Sequence, residues 1–125
     1  MLQKENRLKK MKDFEILFKE GRYFNIDFLT LKVWKINPEK YPKRNYTKDD
    51  LKIAFTVGLK VSKSAVKRNR VRRKMREVVR LLIKDGKIKK GFMAVLVAKP
   101  EILEKDYTEI EKVINKILAQ ARLIE

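Results

Sequence analysis

The side chains that carry most protein chemistry at neutral pH are missing from this chain. Its 125 residues include no His and no Cys, which excludes an imidazole general base, a thiolate nucleophile, a disulfide and a zinc site built from the usual ligands. Carboxylates are present, but a run of them (Glu101, Glu104, Asp106, Glu109, Glu111, Glu125) lies toward the C-terminus, and the adjacent pair Asp49-Asp50 stands in a loop, where solvation accounts for it. That is no arrangement for a two-metal nuclease. Gly58-x-Lys60-x-Ser62 lacks the second glycine and the Lys-Ser adjacency of a phosphate loop. What the sequence does concentrate is positive charge. Residues 60–80 hold ten basic side chains (Lys60, Lys63, Lys67, Arg68, Arg70, Arg72, Arg73, Lys74, Arg76, Arg80) against the single acid Glu77. Arginine dominates the dense part, and its planar five-donor fork suits bidentate phosphate contacts and base edges better than an ammonium does. The chemistry implied is recognition of a polyanion, not bond-breaking by the chain itself.

The whole composition agrees. Lys+Arg number 33 and Asp+Glu 16, a net charge of +17, while 44% of the residues are hydrophobic, enough to build a real core in a chain of this length. The charge therefore belongs to a folded scaffold, read as a single domain over residues 1–125. No apolar leader opens the sequence, and no stretch approaches the roughly 18 apolar residues of a membrane-spanning helix. With cysteine absent, a cytoplasmic location is expected.

Periodicity supplies the elements that must position the basic segment. Asp13 reads as the N-cap of a short helix carrying Phe14, Leu17 and Phe18, stopped by Gly21. A strand follows from about Phe24 to Ile36, with Leu29, Leu31 and Val33 on one face and Thr30, Lys32 and Trp34 on the other; Trp34 reads as a surface aromatic. Residues 37–50, with Pro38 and Pro42, form a long loop. Leu51, Ile53, Phe55, Val57, Leu59 and Val61 occupy every second position of a second strand. After residues 62–65 the period becomes helical, and Gly86 or Gly91 ends that region before Phe92-Met93-Ala94-Val95-Leu96-Val97-Ala98, an apolar run suited to a central strand buried on both faces. Beyond Pro100, Thr108 and Glu111 fit a capping box for an amphipathic helix through Ile110, Val113, Ile114, Ile117, Leu118 and Ala121. The order is α-β-β-α-β-α, an α+β two-layer sandwich whose basic helix crosses between two strands.

That crossover helix carries two stripes. At 100° per residue, Val71, Met75, Val78, Val79 and Leu82 share an apolar arc, while Asn69, Arg72, Arg73, Arg76 and Arg80 fall together beside it. Because the core claims the apolar arc, it is not free to insert into lipid, and nucleic acid is favoured over an anionic membrane surface or an acidic protein.

Three segments, in order, resemble one known family. Arg68-Asn69-Arg70 followed by Arg73 and Arg76, directly after Phe55-Thr56-Val57-Gly58-Leu59-Lys60-Val61-Ser62-Lys63, resembles the signature of the bacterial ribonuclease P protein subunit. Arg7-Leu8-Lys9-Lys10 with Asp13-Phe14 and Phe18-Lys19 ahead of Gly21 is similar to that family's first helix. Val95-Leu96-Val97-Ala98-Lys99-Pro100 with Tyr107 and Glu109 is similar to its last strand and helix. The resemblance implies the protein cofactor of a ribozyme: a catalytic RNA subunit, with Mg²⁺, hydrolyses a phosphodiester to remove the 5′ leader of precursor tRNA, and the protein binds both RNAs while supplying no catalytic group. It implies no membrane and no obligate protein partner, no metal held by this chain alone, and a left-handed β-α-β crossover, against the usual hand. By match, Arg68, Asn69, Arg70, Arg73 and Arg76 engage the ribonuclease P RNA, with Lys60, Ser62 and Lys63 on the strand end beside them. Phe14 and Phe18 line the leader cleft. An aromatic often found on the family's first strand falls at Leu31, leaving two rings in the cleft instead of three. The link Ser64-Ala65-Val66-Lys67 is shorter than the family's usual Gly-Asn-containing one, and the segment from Ile36 to Asp50 is longer.

Plainer readings stand beside these. Phe14 and Phe18, four residues apart, equally suit a helix core face; Asn69 suits a helix N-cap. A ribosomal or other structural RNA-binding protein shares the charge and the fold class, and only the order of the motifs speaks against it.

Overall fold

The computed structural model describes residues 2–124; Glu125, at the end of the acidic run, lies outside them. Four strands form one sheet in the order β1-β2-β4-β3, from β1 (Arg22–Ile26), β2 (Leu29–Lys35), β3 (Leu51–Thr56) and β4 (Phe92–Ala98). The helices are α1 (Met11–Glu20), α2 (Ala65–Lys84) and α3 (Tyr107–Gln120). The expected α+β sandwich is present, with the first predicted strand folded into a hairpin. Asp27 adopts φ 48° at the turn, so β1 and β2 pair antiparallel from Arg22↔Val33 to Ile26↔Leu29. Asp tolerates that left-handed conformation because its short polar side chain offsets part of the strain. The apolar run 92–98 becomes β4, central as its composition demands, antiparallel to β2 and parallel to β3. A parallel neighbour needs a crossover, and α2 provides it.

One face of the sheet carries the main core. Leu29, Leu31, Val33, Leu51, Ile53, Ala94 and Leu96 pack against the α2 arc Val71, Met75, Val78, Val79 and Leu82, and against Ile110, Val113, Ile114, Ile117 and Leu118 of α3. Both helices present the stripes that their periodicity predicts. Of the two glycines open as the end of α2, Gly86 is the stop: at φ 68° it lets Lys87 N–H reach the Leu82 carbonyl at 2.9 Å and its own N–H reach Ile83 O at 3.0 Å, satisfying carbonyls that the helix end leaves open. The capping box of α3 lies two residues earlier than expected. Asp106 Oδ1 accepts from Glu109 N–H at 2.8 Å and Glu109 Oε2 from Asp106 N–H at 3.3 Å. Thr108 and Glu111 match the same pattern, but the earlier start lets Tyr107 pack against the core.

The other face is covered by α1, through Ile16 and Leu17, over Trp34, Met93 and Val95. Here the structure departs most from expectation. The N-cap of α1 is Lys10, which makes no side-chain cap bond, and Asp13 lies inside the first turn, buried. Its Oδ1 accepts from Arg44 Nη2 at 2.7 Å and from the Tyr46 hydroxyl at 2.6 Å. A buried carboxylate needs such partners, and both come from the segment read as a plain loop. That segment folds back over Trp34, whose ring meets Tyr41 edge-on at 5.8 Å and Tyr46 at 5.7 Å, so Trp34 is buried and not a surface aromatic. Gly21 sits at the other end of α1 for want of space, not for left-handed φ: a Cβ there would stand 2.5 Å from the Leu17 carbonyl oxygen and 3.1 Å from Val33 O.

Burial, followed by its bond to Asp13, holds the Tyr46 phenol above its ordinary range. The folded chain thus keeps that proton more tightly than the unfolded chain, and its stabilising effect, intact below pH 10, fades as pH climbs through and beyond that point. Tyr46→Phe removes a charge-assisted hydrogen bond and should cost about 1.5–3 kcal/mol in chemical denaturation at pH 7. The gap between wild type and Tyr46→Phe should narrow as unfolding is repeated above pH 10; a gap independent of pH contradicts the assignment.

Candidate nucleic-acid interface

The basic segment, residues 60–80, spans the β3–α2 link and all but the last turn of α2. Strand β3 stops at Thr56, short of the predicted Val61: Val61 N–H turns back to the Gly58 carbonyl at 3.0 Å, and Leu59 is left 68% exposed. Lys60, Ser62 and Lys63 therefore sit on the link and not on a strand end. Ser64 caps α2, its Oγ accepting from Lys67 N–H at 3.3 Å, so Asn69 is an interior residue and not the cap.

The residues of the arginine motif divide by what they touch. Arg68 Nη1 donates to the Ser62 carbonyl at 3.0 Å. Arg72 donates to Asn69 Oδ1 at 2.7 Å and, more weakly, to the Val57 carbonyl at 3.4 Å. These two arginines fasten the link to the helix, and the link's shortness is matched by that fastening. Arg70 and Arg73 are exposed. Arg76, half-buried, is held below its ordinary pKa, first by desolvation and then by repulsion from Arg72, Arg7 and Arg73. Arg7 reaches this place because the N-terminal segment runs along β3, with Leu8 N–H bonded to the Ile53 carbonyl at 3.2 Å and Asn6 Nδ2 to the Leu51 carbonyl at 2.9 Å. Among the described residues, the one ion pair within 60–80 is Glu77–Arg80 at 2.6 Å. The cluster around Arg76 thus concentrates cations whose mutual repulsion an anion would relieve.

A groove of about 390 Å³ opens there, lined by Arg7, Lys9, Phe14, Ala54, Thr56 and Arg76. From Thr56 the sheet surface continues sideways, in register, to Val97 of β4 and Thr30 of β2, and then to Asn25 of β1. At about 4.8 Å per strand this path is roughly 14 Å wide. Phe14 is half-buried beside the groove and Phe18 is 50% exposed at the far end of α1. Leu31 is not on this surface. Fully buried, opposite Phe24 and Leu96, it belongs to the α2–α3 core. Successive strand residues face opposite ways, so its neighbour Lys32 occupies the α1 side instead, together with Tyr23, its partner across the hairpin. Sequence reasoning named Arg72 in the basic stripe and Arg7 ahead of the first helix but not their approach to Arg76, which depends on the N-terminal segment running along β3.

The family pattern described as Ribonuclease P matches residues 2–122. The chain belongs to the ribonuclease P protein family. It is similar to the ribonuclease P protein components of Alkaliphilus metalliredigens (35% identical, covering 98% of this chain and 99% of that one) and Clostridium acetobutylicum (34%, covering 97% and 92%). Among solved structures, the RNase P protein of Staphylococcus aureus superposes with a TM-score of 0.78 at 20% identity, covering 98% of this chain and all of that one. That of Thermotoga maritima gives 0.69 at 26%, covering 89% and 94%. A ribonuclease P protein is the protein subunit of an endoribonuclease of tRNA processing and binds RNA, in keeping with a chain whose sequence offers cationic recognition and no catalytic constellation. Among the described residues no helix is long and apolar enough to cross a membrane.

Two classes of arginine in this ribonuclease P protein should separate experimentally. Arg68→Ala and Arg72→Ala should lower stability by about 1 kcal/mol each, read by thermal unfolding. Arg76→Met should instead stabilise the free protein, by about 0.5 kcal/mol or more, because it removes a charge the fold disfavours. If Arg76→Met proves destabilising, the reading of Arg76 as an uncompensated cation is wrong.

Proposed function

We propose that this chain is a single RNA-binding domain that binds the catalytic RNA subunit through the start of α2, with Arg68, Asn69, Arg70, Arg73 and Arg76 assisted by Lys60, Ser62 and Lys63, and holds the 5′ leader of precursor tRNA in the groove beside Phe14 and Phe18. The observation that carries the reading is a groove lined by Arg7, Lys9 and Arg76 together with Phe14, in which burial and neighbouring arginines disfavour the charge of Arg76. Sharing this groove, Arg76 and Phe14 can join phosphate contacts to a ring on which a base can stack. Arg68, besides its part in RNA binding, joins Arg72 in holding the link in shape, so that Lys60, Lys63 and Arg70 serve one ligand together.

Hydrolysis itself is assigned to the RNA subunit, which holds the Mg²⁺ that assists phosphodiester cleavage. Among the described residues no group of three or more His, Cys, Asp or Glu side chains could hold that ion, and Asp50 Oδ2 accepts from the Thr47 N–H at 3.0 Å. The protein's part is electrostatic and geometric, offsetting repulsion between two RNAs so that less Mg²⁺ is needed.

Single-turnover cleavage of a precursor tRNA by a bacterial ribonuclease P RNA at low Mg²⁺ tests this. Adding the protein should restore cleavage, and Arg73→Ala with Arg76→Ala should abolish the rescue and lower the slope of log K against log salt by about 0.7–0.9 per arginine. Phe14→Ala should weaken binding of precursor tRNA more than of mature tRNA. Tight RNA binding without rescue would assign the chain to structural RNA binding instead; equal losses on both RNAs would remove Phe14 from the leader cleft.

A further inference from the structure

Between β3 and α2 the chain makes a tight turn whose two ends are buried and whose middle is not. Val57 and Val61 belong to the main core, at 3% and 5% exposure, while Leu59, midway between them, is 68% exposed. The Val61 N–H closes the turn on the Gly58 carbonyl at 3.0 Å, so Leu59 and Lys60 occupy its two central positions. Arginines hold both ends: Arg72 donates to the Val57 carbonyl at 3.4 Å and Arg68 to that of Ser62 at 3.0 Å. The tip stands clear of the rest of the protein, since a Cβ placed on Gly58 would meet nothing within 4 Å. Leu59 is therefore an aliphatic side chain presented to solvent on a fixed backbone.

A single leucine on a surface calls for no explanation by itself, but the company of this one does. Lys60, Lys63, Lys67 and Arg70 follow it in the chain, all exposed, and none forms an ion pair among the described residues. No acidic residue occurs between Asp50 and Glu77. Such a surface takes a polyanion, yet a leucine among the cations adds nothing to a phosphate contact. It contributes only where the ligand also offers an uncharged face. In a duplex the bases are stacked away from such a side chain, whereas an unpaired base exposes its face to it, and leucine is among the residues that enter gaps between unstacked bases. A lipid surface fits less well, because one leucine buries too little apolar area to anchor a protein there.

We propose that Leu59 packs against the face of one unpaired base of the catalytic RNA subunit, while Lys60, Lys63 and Arg70 hold the phosphates beside it. The inference rests on the RNA-subunit reading above and deepens it, by naming a single-stranded element as what the β3–α2 link recognises. Arg68 and Arg72 are positioning residues for this contact, acting through the backbone of the turn.

The test titrates a bacterial ribonuclease P RNA with the full chain over a series of salt concentrations, and measures precursor tRNA binding to the reconstituted holoenzyme alongside. Leu59→Ala should weaken binding of the RNA subunit about fivefold or more at every salt concentration, with the slope of log K against log salt unchanged because no phosphate contact is lost. Its thermal midpoint should match wild type, since the side chain is exposed, and Leu59→Met, which keeps an apolar chain of similar size, should restore most of the affinity. Dimethyl sulfate should find an unpaired base of the RNA subunit that is shielded in the wild-type complex and reactive in the Leu59→Ala complex. Unchanged affinity, a slope reduced by about 0.7 as for a lost cation, or a lowered thermal midpoint overturns the inference. So does a loss confined to precursor tRNA, which would place Leu59 on the leader, or binding to anionic lipid vesicles that Leu59→Ala abolishes, which would make the tip a membrane contact. If wild type itself fails to bind the RNA subunit, the reading above fails and takes this inference with it.

Discussion

One helix serves two demands that oppose each other, and the rest of the structure follows from that. Helix α2 must bury Val71, Met75, Val78, Val79 and Leu82 to close the main core, and full burial of such side chains is worth about 1.5–3 kcal/mol each. The same 20 residues carry arginines close enough to disfavour one another's charge. Burial is the larger effect, so the helix keeps its orientation and the arginines are presented as a fixed array. A chain optimised only for stability would not place Arg7, Arg72 and Arg73 around Arg76. The cost makes sense as part of an affinity for phosphate, to which a bound RNA would add negative charge.

The open groove depends on a second constraint, that α1 covers only part of its face of the sheet. Its first turn is tied down by the buried Asp13 with Arg44 and Tyr46, and its end is held by Lys32 at the Phe18 carbonyl and by the close approach that only glycine permits at position 21. Between these fixed ends α1 lies over Trp34, Met93 and Val95 and leaves the strip through Thr56, Val97 and Thr30 exposed enough to be reached. The segment 37–50, longer than the resemblance leads one to expect, is what makes the first tie: it brings Tyr41 and Tyr46 over Trp34. Its role is to hold α1, and so the groove, in place.

Periodicity read the layers well because each depends on a single local pattern. The two stripes of α2, the apolar face of α3 and the double burial of β4 are written in spacings of three to four or in an unbroken run, and a local reading suffices. What escaped was set by partners distant in the chain. Asp13 looks like a cap until Arg44 and Tyr46 arrive from 31 and 33 residues away. Trp34 alternates with buried residues and is itself buried, because a loop without any period covers it. Leu31 lies on the apolar face with Leu29 and Val33, as the alternation has it; its place in the cleft came only from the family match, and in the fold that face of the strand is core. The arginine motif was legible as a basic stripe, but its division into residues that hold the link and residues left open for a ligand depends on bonds to Ser62 and Val57 carbonyls that no spacing reveals.

The chain's lack of cysteine makes one measurement unusually direct. Single cysteines introduced as Arg70→Cys, Lys19→Cys and Lys112→Cys, each carrying a tethered iron chelate, generate hydroxyl radicals that cut RNA only close to the labelled residue. In the complex of ribonuclease P RNA with precursor tRNA, cuts from position 70 should fall in the RNA subunit, cuts from position 19, beside Phe18, in the 5′ leader, and position 112 on α3 should cut neither. Cleavage from position 112 as strong as from position 70, or leader cuts from none of the three, would contradict an interface built on α2 and the α1 side of the sheet.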